Sequence, residues 1–264
     1  MIRKLEIVAP DGAHTGARWA GDYGPALVFV HGVGSTAAIW DSQLSALSND
    51  FRCYAIELRG NGTFEDPDPS LISRQGFAQD VLAVCEEAYI DSFTLVGCSL
   101  GGVVGFELYR TAPKRFDAMV IVGSFAFYPN SAQYVESILS ALRECGSMRL
   151  FAEQRVGKLG LPPDRLRETL EQMACKSVPS YTASTYATWT GDYRDVLPAI
   201  TVPALVVHGE RDAIAPAELS QAIANGIRDS RLISVPNAGH VTNADQPREF
   251  NVLLREFLTA STRP

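Results

Sequence analysis

Apolar residues along the chain form short runs that alternate with longer amphipathic segments. The central runs, such as Ala26–Val30 and Ala118–Val122, are continuously apolar, which is typical of parallel strands buried on both faces. We predict strands near residues 2–8, 16–20, 26–31, 52–57, 93–97, 118–122, 203–208 and 230–235, and helices near 39–48, 72–89, 100–111, 215–226 and 246–259. This alternation predicts an α/β fold with a doubly wound, mostly parallel sheet of eight strands.

One long segment breaks the alternation. Residues 124–198, between the strands near 118–122 and 203–208, predict a helical cap inserted into a single domain that spans residues 1–264. The predicted helices of this segment lie near 131–145, 147–157, 163–177 and 180–197. Its aromatic residues predict a mainly apolar pocket, and the candidate pocket residues are Phe125, Phe127 and Trp189.

A candidate nucleophile lies at the junction of a predicted strand and a predicted helix, in the sequence Gly97-Cys98-Ser99-Leu100-Gly101. A serine at such a sharp turn is held in a strained backbone conformation with its hydroxyl exposed above the sheet. Glycines two residues before and after Ser99 remove collisions with the backbone. This pattern of a nucleophile elbow makes Ser99 the candidate nucleophile, whereas Cys98 is expected to pack in the core.

The base can be found by elimination among four histidines. A serine hydroxyl needs a base, and histidine suits that role near neutral pH. His14 lies in a polar N-terminal turn, His31 at the end of an upstream strand, and His208 in a buried apolar run. His240, in the loop after the strand near 230–235, is therefore the candidate base.

An acid must orient that histidine, and it should lie between the serine and the histidine along the chain. The loop after the strand near 203–208 contains two carboxylates, Glu210 and Asp212. We predict that Asp212 is the acid because its loop position faces the elbow. Glu210 remains the alternative, and we expect its side chain to point to solvent or to pair with Arg211.

Two backbone N–H groups are candidates to bind the oxyanion of a tetrahedral intermediate. Leu100 N–H follows the candidate nucleophile directly, at the start of a helix. Val33 N–H lies in the loop after the strand near 26–31, where Gly32 and Gly34 on either side allow the backbone to turn toward the site.

Five sequence features carry a family resemblance. They are His31-Gly32 with Trp40 downstream, the turn Arg59–Gly62, the elbow Gly97–Gly102, the segment His208–Asp212, and the segment Asn237–His240. In this order they resemble the α/β-hydrolase superfamily over nearly the whole chain. Within it the chain looks most like small bacterial serine esterases and lactonases, including enol-lactonases and cofactor-free haloperoxidase or perhydrolase relatives. It departs from them at Asn61, where such proteins often have histidine.

Composition and charge limit the classes of binding partner that we expect. A chain of 264 residues with 46% hydrophobic residues can bury one large core. Its net charge of −7 argues against nucleic acid and anionic membranes as partners. The N-terminus lacks the pattern of a signal peptide, so we expect a cytoplasmic protein. The five scattered cysteines and four histidines predict no disulfide framework, no metal site and no cofactor.

These residues predict a serine hydrolase that cleaves a small-molecule carboxylic ester or lactone through a covalent acyl-enzyme. Two alternatives remain. One is a ligand receptor or signalling protein that keeps the scaffold and turns over slowly, because a fold does not dictate a function. The other is a C–C bond hydrolase or perhydrolase that uses the same residues.

Overall fold

The computed structural model describes residues 1–61, 64–159, 161 and 163–261, so Gly62 of the predicted turn lies outside the described residues. The strands are β1 (Arg3–Val8), β2 (His14–Ala20), β3 (Ala26–Val30), β4 (Arg52–Glu57), β5 (Phe93–Cys98), β6 (Phe116–Val122), β7 (Ala204–Gly209) and β8 (Ser230–Val235). The helices are α1 (Asp41–Leu47), α2 (Arg74–Glu87), α3 (Leu100–Thr111), α4 (Ser131–Cys145), α5 (Met148–Val156), α6 (Pro163–Ala174), α7 (Val178–Trp189), α8 (Ala217–Gly226), α9 (Thr242–Asp245) and α10 (Pro247–Ser261).

The strands form one sheet in the order β1-β2-β4-β3-β5-β6-β7-β8. β2 runs antiparallel to both β1 and β4, and the remaining neighbours are parallel. The predicted α/β fold with a mostly parallel eight-stranded sheet is confirmed. Because strands β3 to β8 run in one direction, the loops after their carboxyl ends gather at the same edge of the sheet.

Helices cover both faces of the sheet, which explains why the central strands are apolar at every position. On β3, Val28 and Val30 belong to one apolar cluster, while Leu27 and Phe29 belong to a second. The first cluster also contains side chains of α2, α3 and α8, and the second contains side chains of α1 and α10. A strand buried on both faces has no polar side to alternate with its apolar side.

Four helices, α4 to α7, lie between β6 and β7. On α4, Val135, Ile138 and Leu142 are buried at helical spacing, and they belong to the same apolar cluster as α2 and α3. The inserted helices and the sheet therefore share a continuous core. Within the described ranges, no helix is long and apolar enough to cross a membrane.

The last inserted helix ends earlier than the predicted range of 180–197. α7 stops at Trp189, and the following chain pairs with the segment that leaves β6. The backbone N–H of Tyr193 donates to the carbonyl of Ala126 at 2.8 Å, and Asp192 forms an isolated antiparallel bridge with Phe127. These partners are far apart in the sequence, so local periodicity does not reveal them.

Two smaller differences lie near the edge that carries the loops. The helix predicted at 39–48 is a 3₁₀ turn over Ala37–Trp40 followed by α1. The short helix α9, just after His240, was not predicted. Both are single turns, which are too short to show a helical period.

Candidate active site

Ser99 lies at the turn between β5 and α3 with backbone angles φ 53° and ψ −114°. A residue with a Cβ rarely adopts a positive φ, and it does so only where the surrounding structure holds it there. Besides the hydrogen bonds within the first turn of α3, β6 and the loop after it each contribute one bond to the backbone of Ser99. Ser99 N–H donates to the carbonyl of Val122 at 2.9 Å, and Ser124 Oγ donates to the carbonyl of Ser99 at 2.7 Å.

The glycines around Ser99 are required by close backbone contacts. A Cβ at Gly97 would lie 2.4 Å from the carbonyl carbon of Gly101, and a Cβ at Gly101 would lie 2.1 Å from the carbonyl oxygen of Val30. Neither contact is possible for a real side chain. The sequence pattern around Ser99 therefore has the steric origin expected of a sharp strand-to-helix turn.

The loops after β7 and β8 bring Asp212 and His240 together. His240 Nδ1 lies 2.8 Å from Asp212 Oδ2, and both side chains are buried. The other oxygen of Asp212, Oδ1, accepts hydrogen bonds from the N–H groups of Ile214 at 2.8 Å and Ala215 at 2.9 Å. Because Nδ1 is engaged by a carboxylate, Nε2 is the nitrogen of His240 left for chemistry.

The charge of Asp212 is stabilised in this position. Burial by itself raises the pKa of Asp212, but the hydrogen bond and charge of His240 and the N–H groups of Ala215 and Ile214 outweigh burial. The pKa of Asp212 is consequently held below its usual range. Glu210 is exposed, and the neighbouring Arg211 donates to the side chain of Asn237 rather than to Glu210.

Ser99 and His240 line one cavity at the loop edge of the sheet. The cavity is lined by Gly32, Val33, Gly34, Ser35, Ile39, Cys98, Ser99, Arg155, Leu159, Leu161, Thr169, Met173, Trp189, Ile214, His240 and Val241. Most of this wall is apolar. The structure therefore brings the candidate nucleophile, the candidate base and Val33 to a common space, with Asp212 behind the base.

Two side chains support the loop that carries Val33. His31 Nδ1 donates to the carbonyl of Gly32 at 2.9 Å, and Gly34 N–H donates to Asn61 Oδ1 at 3.2 Å. Burial lowers the pKa of His31 to about 3, so its ring is neutral, and its Nε2 accepts from Leu58 N–H at 3.2 Å. Both ring nitrogens of His31 are thus hydrogen-bonded to the backbone and stabilise this loop.

The candidate oxyanion donors, Val33 and Leu100, belong to two different segments that adjoin Ser99. A Cβ at Gly32, next to Val33, would lie 3.8 Å from Ser99 Oγ, so this loop passes directly beside the hydroxyl. Leu100 is the first residue of α3, and the first N–H groups of a helix have no acceptor within the helix. The N–H groups of Val33 and Leu100 therefore stay the predicted donors to a negative oxygen.

The three candidate pocket residues have different positions. Trp189 lines the cavity. Phe125 stacks on Trp189 with ring centroids 4.7 Å apart and is not among the lining residues. Phe127 is also outside the lining, and the guanidinium of Arg194 lies 4.1 Å above its ring. Of the three aromatic residues, only Trp189 thus borders the space above Ser99.

Arg155 was not predicted as a cavity residue. It follows the buried Phe151 and Ala152 of α5 at helical spacing, so a cation on the apolar stripe of this helix was the signal that could have revealed it. Burial disfavours its charge, but the hydroxyls of Tyr181 and Tyr134 outweigh burial and raise the pKa of Arg155 above its ordinary value. Arg155, which is half-buried, therefore contributes a positive charge to the wall of a mostly apolar cavity.

The side chains of the site offer acid–base and nucleophilic chemistry. In the described ranges, no group of three histidine, cysteine, aspartate or glutamate side chains is placed to hold a metal ion. Cys98 lines the cavity, and burial raises the pKa of its thiol far above the usual range. A thiol in that state is a poor nucleophile, so Ser99 is the better-placed group.

Comparison with known proteins shows the family to which the chain belongs. The profile of the alpha/beta hydrolase family matches residues 27–252. The chain is 27% identical over 235 residues to 3-oxoadipate enol-lactonase 2 of Acinetobacter baylyi, which covers 86% of each chain. It is 29% identical over 253 residues to RutD of Variovorax paradoxus, which is named for a proposed carbamate hydrolysis, and this covers 91% of the chain and 94% of the relative.

The structure also resembles solved structures. A hydrolase from Pseudomonas aeruginosa superposes with a TM-score of 0.88 at 28% sequence identity, covering 97% of this chain and 98% of that one. The family match extends over most of the chain, from β3 into α10. The chain therefore belongs to the alpha/beta hydrolase family.

Proposed function

We propose that this protein is a serine hydrolase that cleaves a carboxylic ester or lactone through a covalent acyl-enzyme. The observation that carries the proposal is the position of His240, which binds Asp212 through Nδ1 while lining the same cavity as Ser99. A base held in one tautomer next to a strained serine is the arrangement that such chemistry needs.

The steps follow from these positions. His240 Nε2 takes the proton of Ser99 Oγ as that oxygen attacks the acyl carbon, and the N–H groups of Val33 and Leu100 stabilise the oxyanion. Collapse of the intermediate breaks the bond to the alcohol, and His240 returns its proton to the leaving oxygen. A water molecule, deprotonated by His240, then attacks the acyl-enzyme and releases the acid and free Ser99. Asp212 stabilises the imidazolium in both halves.

We propose that residues 124–198 act as a cap that determines the substrate. Its support is the share of the cavity wall that comes from this segment, namely Arg155, Leu159, Leu161, Thr169, Met173 and Trp189. An inserted segment that supplies part of the cavity wall can shield the reacting atoms from bulk water.

A carbamate is the second candidate substrate class, because RutD is among the similar proteins. A carbamate has the same acyl carbon and the same kind of leaving group as an ester, so the same residues can act on it. A panel that includes aryl esters, γ-lactones, enol-lactones and aryl carbamates separates the two classes by their kcat/KM values.

The decisive experiment compares the purified protein with the variant Ser99→Ala across this panel. We expect the variant to lose about 10⁴-fold or more in kcat while keeping its Tm, since binding and the oxyanion donors alone supply the remainder. In parallel, a fluorophosphonate should label Ser99 in the unmodified protein and fail to label the variant.

Two outcomes contradict the proposal. A variant that keeps a tenth of the activity rules out a covalent step at Ser99. A protein that releases only about one product per protein molecule, rather than turning over at roughly 1 to 1000 per second, acts as a receptor instead.

A further inference from the structure

Arg155 is a half-buried cation that has no carboxylate partner among the described residues. It lies on α5, and its guanidinium carbon is 5.9 Å from the centroid of the Phe151 ring. None of the ion pairs formed by the described residues includes it, whereas Arg149, on the exposed side of the same helix, pairs with Glu171 at 2.6 Å. Withdrawing a charge from water without a counter-charge costs free energy, so such a group usually has a partner of opposite charge.

Other hydrogen-bond donors around the same cavity lack an acceptor. Trp189 Nε1 and Ser35 Oγ are buried and have no hydrogen-bond partner among the described residues, and both side chains line the cavity. The Tyr181 hydroxyl is also buried, and it interacts with Arg155, which is a cation and brings no negative charge to it. Proteins rarely leave buried polar atoms unpaired, so these atoms indicate that the cavity receives a hydrogen-bond acceptor.

The rest of the wall determines how strongly an acceptor would be bound. Most of the other lining side chains are apolar, including Ile39, Leu161 and Met173. Charges interact more strongly in such surroundings than in water, because water does not screen them. Among the lining residues, Arg155 is the one lysine or arginine, and no aspartate or glutamate lines the cavity within the described ranges.

A carboxylate fits these conditions best. Its single negative charge matches the single charge of Arg155, and its two oxygens match the fork of a guanidinium. A phosphate monoester would bring a second negative charge that nothing in this wall neutralises. A neutral acyl chain would leave the guanidinium without a counter-charge and the N–H of Trp189 without an acceptor.

We propose that the substrate carries a carboxylate on its acyl part, held by Arg155 while the ester or lactone carbonyl lies at Ser99. The proposal deepens the hydrolase function proposed above and rests on it. An acyl-bound carboxylate stays in place during both acylation and deacylation, so its contact with Arg155 orients the acyl carbon in each step. In an open-chain ester, a carboxylate on the alcohol part would leave after the first step, whereas in a lactone both parts stay on one chain.

The test compares monoethyl glutarate with the neutral diethyl glutarate, with hydrolysis followed by pH-stat. The variants are Arg155→Met, which removes the charge, and Arg155→Lys, which keeps the charge but not the fork. Arg149→Met is the matched control, since it removes an exposed arginine from the same helix. Tm and activity on diethyl glutarate verify that each variant is folded.

We expect the unmodified protein to prefer monoethyl glutarate in kcat/KM. Arg155→Met should reduce that preference by at least about 30-fold, Arg155→Lys should restore part of it, and Arg149→Met should leave it unchanged. If the protein hydrolyses both esters and Arg155→Met leaves their ratio unchanged, the carboxylate assignment is wrong while the hydrolase function stands.

A binding measurement tests the carboxylate site independently of whether the proposed hydrolase activity is found. In the Ser99→Ala background, monoethyl glutarate should raise the Tm, and the added Arg155→Met substitution should abolish that rise. This result would support the carboxylate site even if none of the esters were turned over. A larger Tm rise with ethyl phosphate than with monoethyl glutarate would overturn the choice of carboxylate.

Discussion

The Nδ1 atom of His240 and the Oδ2 atom of Asp212 lie 2.8 Å apart, although 28 residues separate them in the chain. The other oxygen of Asp212 is occupied by the backbone of Ile214 and Ala215, so the carboxylate is fixed by its own loop. The orientation of the imidazole is consequently determined before a substrate arrives.

Replacing Asp212 by asparagine should reduce kcat by about 10⁴-fold with little change in fold, because an amide N–H facing Nδ1 favours the wrong tautomer. Glu210→Gln is the matched control, and it should keep kcat within a few-fold because Glu210 is exposed. Steady-state kinetics on the best substrate of the panel measures both. If Glu210→Gln is the more damaging change, the acid is Glu210.

Asn61 positions the loop of Val33, so changing it should affect kcat more than KM. Its Oδ1 accepts from Gly34 N–H at 3.2 Å, and its Nδ2 lies 3.3 Å from Ser184 Oγ of α7. Asn61→Ala should reduce kcat by about one to two orders of magnitude, since a small shift of an oxyanion donor is costly.

The control for Asn61 is Ser184→Ala, which removes the contact with α7 and leaves the bond to Gly34 intact. Asn61→Asp keeps an acceptor for Gly34 N–H and should recover part of kcat. Equal losses of kcat in Asn61→Ala and Ser184→Ala would show that packing against α7, rather than the loop bond, is what matters.

Trp189→Ala should change kcat/KM unequally for acyl chains of different length, by about 1 to 3 kcal/mol between short and medium chains, because Trp189 borders the cavity. Phe125→Ala is its partner control, since Phe125 stacks behind Trp189. We expect Phe125→Ala to lower Tm and to act evenly across the series. An even loss for Trp189→Ala would mean that its ring only holds α7 in place.

Glu57 should make stability depend on pH. Burial raises the pKa of Glu57 to about 7, against the opposing effects of Ala37 N–H and Lys176. Between about pH 4.5 and 7, Glu57 is therefore protonated in the folded chain but ionised in the unfolded chain. The free energy of unfolding consequently falls as pH rises through that range.

Glu57→Gln removes this titration. The difference in free energy of unfolding, variant minus unmodified protein, should be more favourable to the variant at pH 8 than at pH 5 by about 1 to 3 kcal/mol. Urea unfolding at the two pH values measures the change. Identical pH slopes for the two proteins would mean that Glu57 does not carry the titration.

The sequence predicted the eight strands because the central ones, such as β3, are buried on both faces and therefore apolar throughout. It also predicted where Ser99 lies, because the turn tolerates only glycine at positions 97 and 101. These features depend on local geometry, which directly restricts the residue types that each position allows.

Features that depend on distant contacts could not be predicted in the same way. The end of α7 depends on the bond between Tyr193 and Ala126, and the support of the Val33 loop depends on Asn61. The apolar pocket expected from the aromatic residues omits the charge of Arg155, whose position depends on how α5 packs. Pattern alone does not show which helix face meets the cavity.

The groups proposed to break the bond and the groups proposed to choose the substrate come from separate stretches of chain. Ser99, Asp212 and His240 follow strands of the sheet, whereas Arg155 and Trp189 belong to the inserted helices. Substitutions of cavity-lining side chains in the insert should therefore change the preferred substrate more than the chemical step. Because the insert shares a continuous core with the sheet, exchanging residues 124–198 between relatives requires that the core side chains on both sides be matched as well.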